Sequence, residues 1–165
     1  MARIMIVGGG CRGRLLASEL LADGHAVRIS TRTEAGRAAI ERAGAECWVG
    51  TPDRLATLRG ALDAVAILCW LLGGARGGPD QLAALHGPRL ELFLTQAIDT
   101  TVRGFVYEAR GSTTPASVLH AGEQIVRRMT TQSSIPAAFL TADPADEKTW
   151  LGEARAAVHA LLTRA

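Results

Sequence analysis

Long apolar runs, aromatic residues and blocks of like charge are all scarce in this chain of 165 residues. Apolar residues make up 48% of it, too many for intrinsic disorder, yet no run approaches the ~18 residues of a membrane span. Aromatic residues are only 4%, and the net charge of +2 is not concentrated in any lysine or arginine block. We therefore expect a soluble protein that binds neither membranes nor nucleic acid.

The few cysteines show no paired arrangement. Cys11, Cys47 and Cys69 have no C-x-x-C spacing and no histidines grouped near them, so the pattern predicts neither a disulfide framework nor a metal site. The apolar start, 2–7, resembles the beginning of a signal peptide, but three glycines and two arginines end it after six residues. We interpret it as a buried strand of a cytoplasmic protein.

Short apolar runs alternate with longer segments of helical period along the whole chain. This alternation is typical of a parallel sheet with helices on both faces. It predicts one α/β domain, 1–165, without a separate substrate domain: a doubly wound Rossmann sheet of six strands in the order 3-2-1-4-5-6. The predicted strands are 3–7, 26–30, 46–49, 64–69, 104–109 and 136–141.

Helices are predicted from apolar spacing together with glycine, proline and capping residues at their ends. The glycine-rich segment 73–79 is too rich in glycine for a helix and is predicted to be a mobile loop that can close over a bound cofactor. A surface connection is the alternative for it. Six helices are predicted. Three of them cover 35–43, 80–101 and 116–130, and the second of these can break at Gly87–Pro88. The other three begin at 13, 51 and 143.

The first strand runs directly into the sequence GGGCRG, which matches the G-x-G-x-x-G pattern. Gly8 permits the tight turn, Gly10 lets the backbone approach a pyrophosphate, and Gly13 lets the helix pack closely on the strand. The N-terminus of that helix offers free N–H groups to a diphosphate. The loop, with Cys11 and Arg12, is predicted to bind a nicotinamide dinucleotide; the alternative is a glycine-rich turn in a domain without a ligand.

The end of the second strand indicates which dinucleotide is preferred. An acidic residue there would bind the adenosine ribose and repel a 2′-phosphate, but this chain has Ser30, Thr31 and Arg32 instead. The guanidinium of Arg32 suits a phosphate, and Arg12 can assist it. The sequence therefore favours NADP(H) over NAD(H). The alternative is that Arg32 and Arg12 are ordinary solvated surface charges, with the neighbouring Glu34 neutralising Arg32.

These features resemble the short-chain dehydrogenase/reductase superfamily, more particularly its NmrA-like and other atypical members. The resemblance is carried by the GGGCRG loop, the Ser30–Arg32 strand end and the six-unit order, and it covers most of the chain at the level of the fold. That group includes reductases and also redox-sensing regulators that bind NADP(H) without turnover. The resemblance therefore implies a cofactor more than a reaction.

Active members of the superfamily carry a serine after strand five and a Tyr-x-x-x-Lys on the next helix, where the tyrosine protonates the substrate carbonyl. Ser112 lies in the expected region. The predicted helix 116–130 contains neither tyrosine nor lysine, because Tyr107 lies inside strand five and Lys148 near the chain end. The usual proton relay is absent, and another acid would have to replace it.

Substitute residues follow strands four and five, where the nicotinamide is expected. The catalytic candidates are Ser112, His120 and Glu108, and the alternative for each is an ordinary surface or packing residue. Trp70 and Leu71 leave the central strand and can floor an apolar pocket for the cofactor. Packing beneath the glycine-rich segment, or at a subunit contact, is the alternative for these two.

Two classes of function follow from these observations. The first is an atypical NADP(H)-dependent oxidoreductase acting on an unidentified small molecule, and the second is a non-catalytic NADP(H)-binding sensor or regulator. A ligand such as a nucleoside diphosphate sugar on the same loop is a third possibility. The apolar face of the last two helices also predicts a homodimer formed through them.

Overall fold

Six parallel strands form the centre of the computed structural model, which describes residues 1–164. Their order is β3-β2-β1-β4-β5-β6, which confirms the predicted doubly wound Rossmann sheet. The strands are β1 (Arg3–Gly8), β2 (Ala26–Thr31), β3 (Glu46–Val49), β4 (Ile67–Leu71), β5 (Gly104–Glu108) and β6 (Ala137–Leu140). The α-helices are α1 (Gly10–Ala22), α2 (Arg37–Arg42), α3 (Pro79–Leu85), α4 (Pro88–Ile98), α5 (Ala116–Ser133) and α6 (Glu147–Thr163).

The sheet separates two hydrophobic layers. Side chains alternate along a strand, so Met5 of β1 faces the layer beneath α3, α4 and α5, while Ile4 and Ile6 face the layer beneath α1 and α6. All the residues of β4 and β5 are buried. Burying each large aliphatic side chain contributes about 2 kcal/mol to stability. The carboxyl ends of these two central strands are therefore held rigidly in place.

The helix predicted to start at Thr51 does not form. Two short 3₁₀ turns, Leu55–Thr57 and Arg59–Leu62, occupy this segment instead. The Thr57 hydroxyl accepts a hydrogen bond from the Thr51 N–H at 2.8 Å and donates one to the carbonyl oxygen of Arg54 at 2.6 Å. These side-chain bonds offer the backbone an alternative to a helical ladder, which is why the prediction was wrong.

Several predicted boundaries also shift. Helix α1 begins at Gly10 rather than Gly13, so the glycine loop itself forms the first turn. Strand β4 begins three residues later than predicted, because Ala64 has a left-handed φ of 57° and forms a turn before it. Gly87–Pro88 does separate two helices, and α6 begins at Glu147, where Asp146 accepts a cap bond.

The apolar stripe of α6 is used inside the chain. Trp150, Ala154, Val158 and Leu161 are buried against the same layer as α1 and the sheet. This packing accounts for the stripe of α6 inside the chain, and the homodimer through the last two helices stays a prediction. Across residues 1–164, none of the helices combines the length and the apolar character needed to cross a bilayer.

Candidate functional site

A cleft of about 450 Å³ opens where β1 and β4 end. Its walls come from the glycine loop, from the segment that follows β4, and from Arg12, Arg32 and Arg76. The chain leaves β1 towards β2 on one side, while β4 lies on its other side, so this is the switch point of the sheet. Open parallel sheets bind ligands at this position, and the volume suits a small molecule.

The glycine loop is shaped by backbone that side chains rarely adopt. Gly8, Gly9 and Gly10 have φ angles of 83°, 84° and 52°. A Cβ on Gly8 would lie 2.6 Å from the Leu71 carbonyl oxygen, and one on Gly13 would lie 2.9 Å from the Gly8 carbonyl oxygen. A Cβ on Gly10 would meet nothing within 4 Å. The loop therefore packs α1 tightly on the strand while leaving its first turn open at the cleft.

Arg12 lies in the cleft wall, above a buried cluster. Its guanidinium stacks on the Trp150 ring at 4.9 Å from the centroid, and its Nη1 lies 3.6 Å from Glu108 Oε2. That nitrogen is buried and has no hydrogen-bond partner among residues 1–164. Arg12 therefore presents a guanidinium that is held in place by stacking and by charge, with its buried Nη1 beside Glu108.

Glu108 is fully buried behind this wall rather than in the cleft. Its Oε1 accepts a hydrogen bond from the Gly73 N–H at 2.7 Å, and its Oε2 accepts one from Trp150 Nε1 at 2.8 Å. Burial raises the pKa of Glu108, and the nearby Arg12 partly opposes that rise. Both oxygens are engaged by the protein, so this carboxyl is not placed to exchange a proton with a bound substrate.

Arg32 faces the cleft at its far end. Its side chain is 61% exposed and lies 3.3 Å from Asp53 Oδ2. Glu34, which the sequence suggested as its neutralising partner, pairs with Arg37 instead. Thr31 does not line the cleft, and its hydroxyl donates to a neighbouring carbonyl oxygen. Of the two residues predicted from this strand end, only the arginine is brought to the site.

Successive side chains at the end of β4 point to opposite faces of the sheet, so its apolar residues lie in different surroundings. Trp70 is completely buried and packs on Phe93, with ring centroids 5.6 Å apart, on the side of the sheet away from α1. Leu71 and Leu72 line the cleft. The predicted apolar floor therefore consists of these leucines, and Trp70 belongs to the core because its side chain lies on the face of the sheet covered by α3, α4 and α5.

The segment after β4 is tied down over its first half, contrary to the mobile loop predicted for 73–79. The Gly73 carbonyl oxygen accepts from the Thr114 N–H at 3.1 Å, and the Thr113 hydroxyl donates to the Ala75 carbonyl oxygen at 2.8 Å. A Cβ on Gly111 would lie 2.1 Å from that Gly73 oxygen. Backbone contact with the segment after β5 thus fixes the wall, and only its outer part, from Arg76 onwards, is exposed.

The remaining candidates are dispersed. Ser112 lines the cleft, whereas His120 is exposed on α5 and does not line it. The thiol of Cys11 faces a groove between α1 and α2, where it accepts from Arg14 at 3.1 Å. Cys69 is fully buried, which raises the pKa of its thiol to about 12. The structure therefore brings one hydroxyl, Ser112, and none of these other side chains to the cleft.

Tyr107 and Lys148 do not meet at the cleft either. The Tyr107 hydroxyl is buried 2.8 Å from His86 Nδ1, and Lys148 is exposed at the start of α6. Sequence reasoning missed this Tyr107–His86 pair and also missed Arg76 as a cleft residue. A basic residue after the most apolar strand was the available signal for Arg76, whereas nothing local indicates that His86 is buried.

Solved structures of similar fold include dehydrogenases, reductases and epimerases. An Agrobacterium tumefaciens protein of the short-chain dehydrogenase/reductase superfamily with bound NAD matches 83% of this chain with a TM-score of 0.68 and 19% identity, over 48% of its own length. The Citrobacter triphenylmethane reductase complexed with NADP(H) matches 84% with a TM-score of 0.62 and 23% identity, also over 48% of its length.

The UDP-glucose 4-epimerase of Thermotoga maritima, with UDP-glucose, matches 83% of the chain with a TM-score of 0.69 and 11% identity, over 54% of its length. The chain therefore spans about half the length of these proteins. No protein-family model matches the sequence, and no curated protein matches it. At these identities the likeness establishes the fold alone, a Rossmann-like α/β domain.

Proposed function

We propose that the cleft binds a nicotinamide dinucleotide. The observation that carries this proposal is the left-handed turn at Gly8–Gly10, which opens the first turn of α1 into a cleft that also holds three arginines. Free N–H groups at a helix N-terminus and a nearby guanidinium are the groups that bind a diphosphate. Two proteins of the same fold carry NAD and NADP(H), which supports the same class of ligand here.

NADP(H) is the proposed form of the cofactor. Arg32 and Arg76 both line the cleft, and their guanidinium groups can pair with a 2′-phosphate. The ion pair of Arg32 with Asp53 is exposed on both sides, and such pairs contribute only about 0–1 kcal/mol. A 2′-phosphate can therefore replace Asp53 as the partner of Arg32 at little cost.

A titration tests both parts of this proposal. NADPH is expected to quench tryptophan fluorescence and to bind more tightly than NADH. Replacing Arg32 by alanine should weaken NADPH binding about tenfold, the size expected for a charge-assisted contact, and leave NADH binding unchanged. The matched control is Arg128→Ala, because the Arg128 side chain is also more than half exposed and is ion-paired, but to Glu91 on α4. Absence of binding by either nucleotide would overturn the proposal, and equal affinity would overturn the preference.

We further propose an oxidoreductase-like activity that does not use the Tyr-x-x-x-Lys relay. Ser112 is then the hydroxyl placed to contact a substrate, while the cofactor supplies the hydride when bound. A non-catalytic NADP(H)-binding sensor or regulator, as among NmrA-like proteins, is the second candidate. It is favoured by the positions of Tyr107 and Lys148, neither of which lines the cleft.

Turnover separates these two candidates. A panel of carbonyl and enone compounds is incubated with NADPH, and loss of its absorbance is followed. A reductase consumes NADPH with at least one of them and loses rate in Ser112→Ala, whereas a sensor binds NADPH without consuming it. Because the chain spans only about half of its structural neighbours, consumption by this chain alone would show that the described cleft suffices for the reaction.

A further inference from the structure

A buried carboxylate connects four elements behind the wall of the cleft. Glu108 ends β5, and it contacts Gly73 after β4, Trp150 on α6 and Arg12 in the first turn of α1. Its side chain is 0% exposed. A carboxylate loses its hydration when it is buried this completely, so the structure must supply partners that compensate for it.

These partners satisfy the carboxylate unequally. Gly73 and Trp150 donate at 2.7 and 2.8 Å, which are good hydrogen-bond distances, but Arg12 Nη1 is 3.6 Å away and makes no hydrogen bond there. Arg12 is thus attracted by the charge of Glu108 and stacked on Trp150, but its Nη1 donates no hydrogen bond to the carboxylate. Its Nη2 lies near Gly74, another residue of the cleft wall.

We infer that Glu108 is a positioning residue for ligand binding, which acts by holding the Arg12 guanidinium on Trp150 at the edge of the cleft. The inference rests on the proposed function, because the ligand that Arg12 meets is the anionic part of the dinucleotide. Without Glu108, the long and flexible arginine side chain would turn to solvent, and each binding event would have to order it again. Glu108 itself touches no ligand.

Substitution of Glu108 by glutamine tests this inference through the sign of its effect. Removing a negative charge close to an anionic ligand should, by Coulomb's law alone, tighten binding. Loss of positioning should instead weaken NADPH binding, by about tenfold, since the neutral amide no longer attracts Arg12. Glu153→Gln is the matched control, because Glu153 accepts N–H groups of Thr141 and Ala142 at the end of β6, away from the cleft.

Repeating the Glu108→Gln substitution in a variant that lacks Arg12 separates positioning from a general structural effect. In Arg12→Ala, Glu108→Gln should change NADPH affinity by less than about twofold, since the residue through which Glu108 acts is gone. A merely structural role, exerted through Gly73 or Trp150, would weaken binding equally in both backgrounds. Arg12→Lys provides a test that leaves Glu108 intact, should the glutamine variant not fold. Lysine keeps the charge but lacks the planar guanidinium that stacks on Trp150 and reaches Glu108. The Arg12→Lys variant should therefore bind NADPH as weakly as Arg12→Ala.

Each outcome is decisive. Weaker NADPH binding by Glu108→Gln, lost in the Arg12→Ala background, supports the inference. Tighter or unchanged binding, equal weakening in both backgrounds, or native affinity in Arg12→Lys overturns it while the proposed function stands, provided that the native protein binds NADPH or NADH. If the native protein binds neither nucleotide, the proposed function fails and the inference fails with it.

Discussion

The buried imidazole of His86 should make the protein lose stability in mild acid. His86 is 1% exposed, and its Nε2 lies 3.1 Å from the Leu72 carbonyl oxygen. Because a carbonyl only accepts, Nε2 carries the hydrogen, and Nδ1 therefore accepts from the Tyr107 hydroxyl at 2.8 Å. This arrangement requires a neutral ring, and burial lowers the pKa of His86 from 6.5 to about 4.

The sign and the size of the effect follow from that pKa. Above pH 6.5 the ring is neutral in the folded and unfolded chains and makes no difference to stability. Between pH 6.5 and 4 the unfolded chain binds a proton that the folded chain does not, so the free energy of unfolding falls as the pH falls. The full pKa difference, from 6.5 to about 4, corresponds to about 3.5 kcal/mol at about 1.4 kcal/mol per unit, and about 2.5 kcal/mol of this is lost by pH 4.5.

Urea unfolding followed by tryptophan fluorescence measures this loss. His86→Gln can keep both hydrogen bonds but does not titrate, so between pH 7.5 and 4.5 it should lose about 2.5 kcal/mol less than the native protein does. Other titrating groups are common to both proteins and cancel in the comparison. His120→Gln is the control, since that imidazole is exposed on α5. Parallel losses in His86→Gln and the native protein would refute the reasoning.

Three further predictions concern the core and the loop. Gly13→Ala should lower the free energy of unfolding by about 1–3 kcal/mol in urea, because its Cβ meets a loop carbonyl oxygen at 2.9 Å, whereas Gly152→Ala, with nothing within 4 Å, should not destabilise α6. Equal effects would contradict this. Tyr107→Phe should cost about 1–3 kcal/mol by leaving the imidazole Nδ1 without its donor, and an unchanged urea midpoint would argue against that bond. Ellman's reagent should label Cys11 in the folded protein and Cys69 only after unfolding; labelling of the latter in native buffer would disprove its burial.

The architecture was predictable because each of its signals is local. Apolar runs of strand length separated by segments of helical period indicate a parallel α/β sheet wherever they occur, and the strand order follows from right-handed crossovers. The glycine loop was recognisable for a similar reason: left-handed backbone at Gly8 and Gly10 is accessible to glycine at no steric cost. The helix expected from Thr51 failed because the Thr57 hydroxyl bonds back to the backbone, an interaction that periodicity does not show.

The glycine loop and the sheet were thus determined by the sequence itself, since composition and short spacings are sufficient to establish them. Only the tertiary structure decided that Trp70 belongs to the core, that Asp53 rather than Glu34 pairs with Arg32, and that Glu108 lies beneath Arg12. Those contacts join residues far apart in the chain, and both their distances and their burial exist only once the two layers have packed on the sheet.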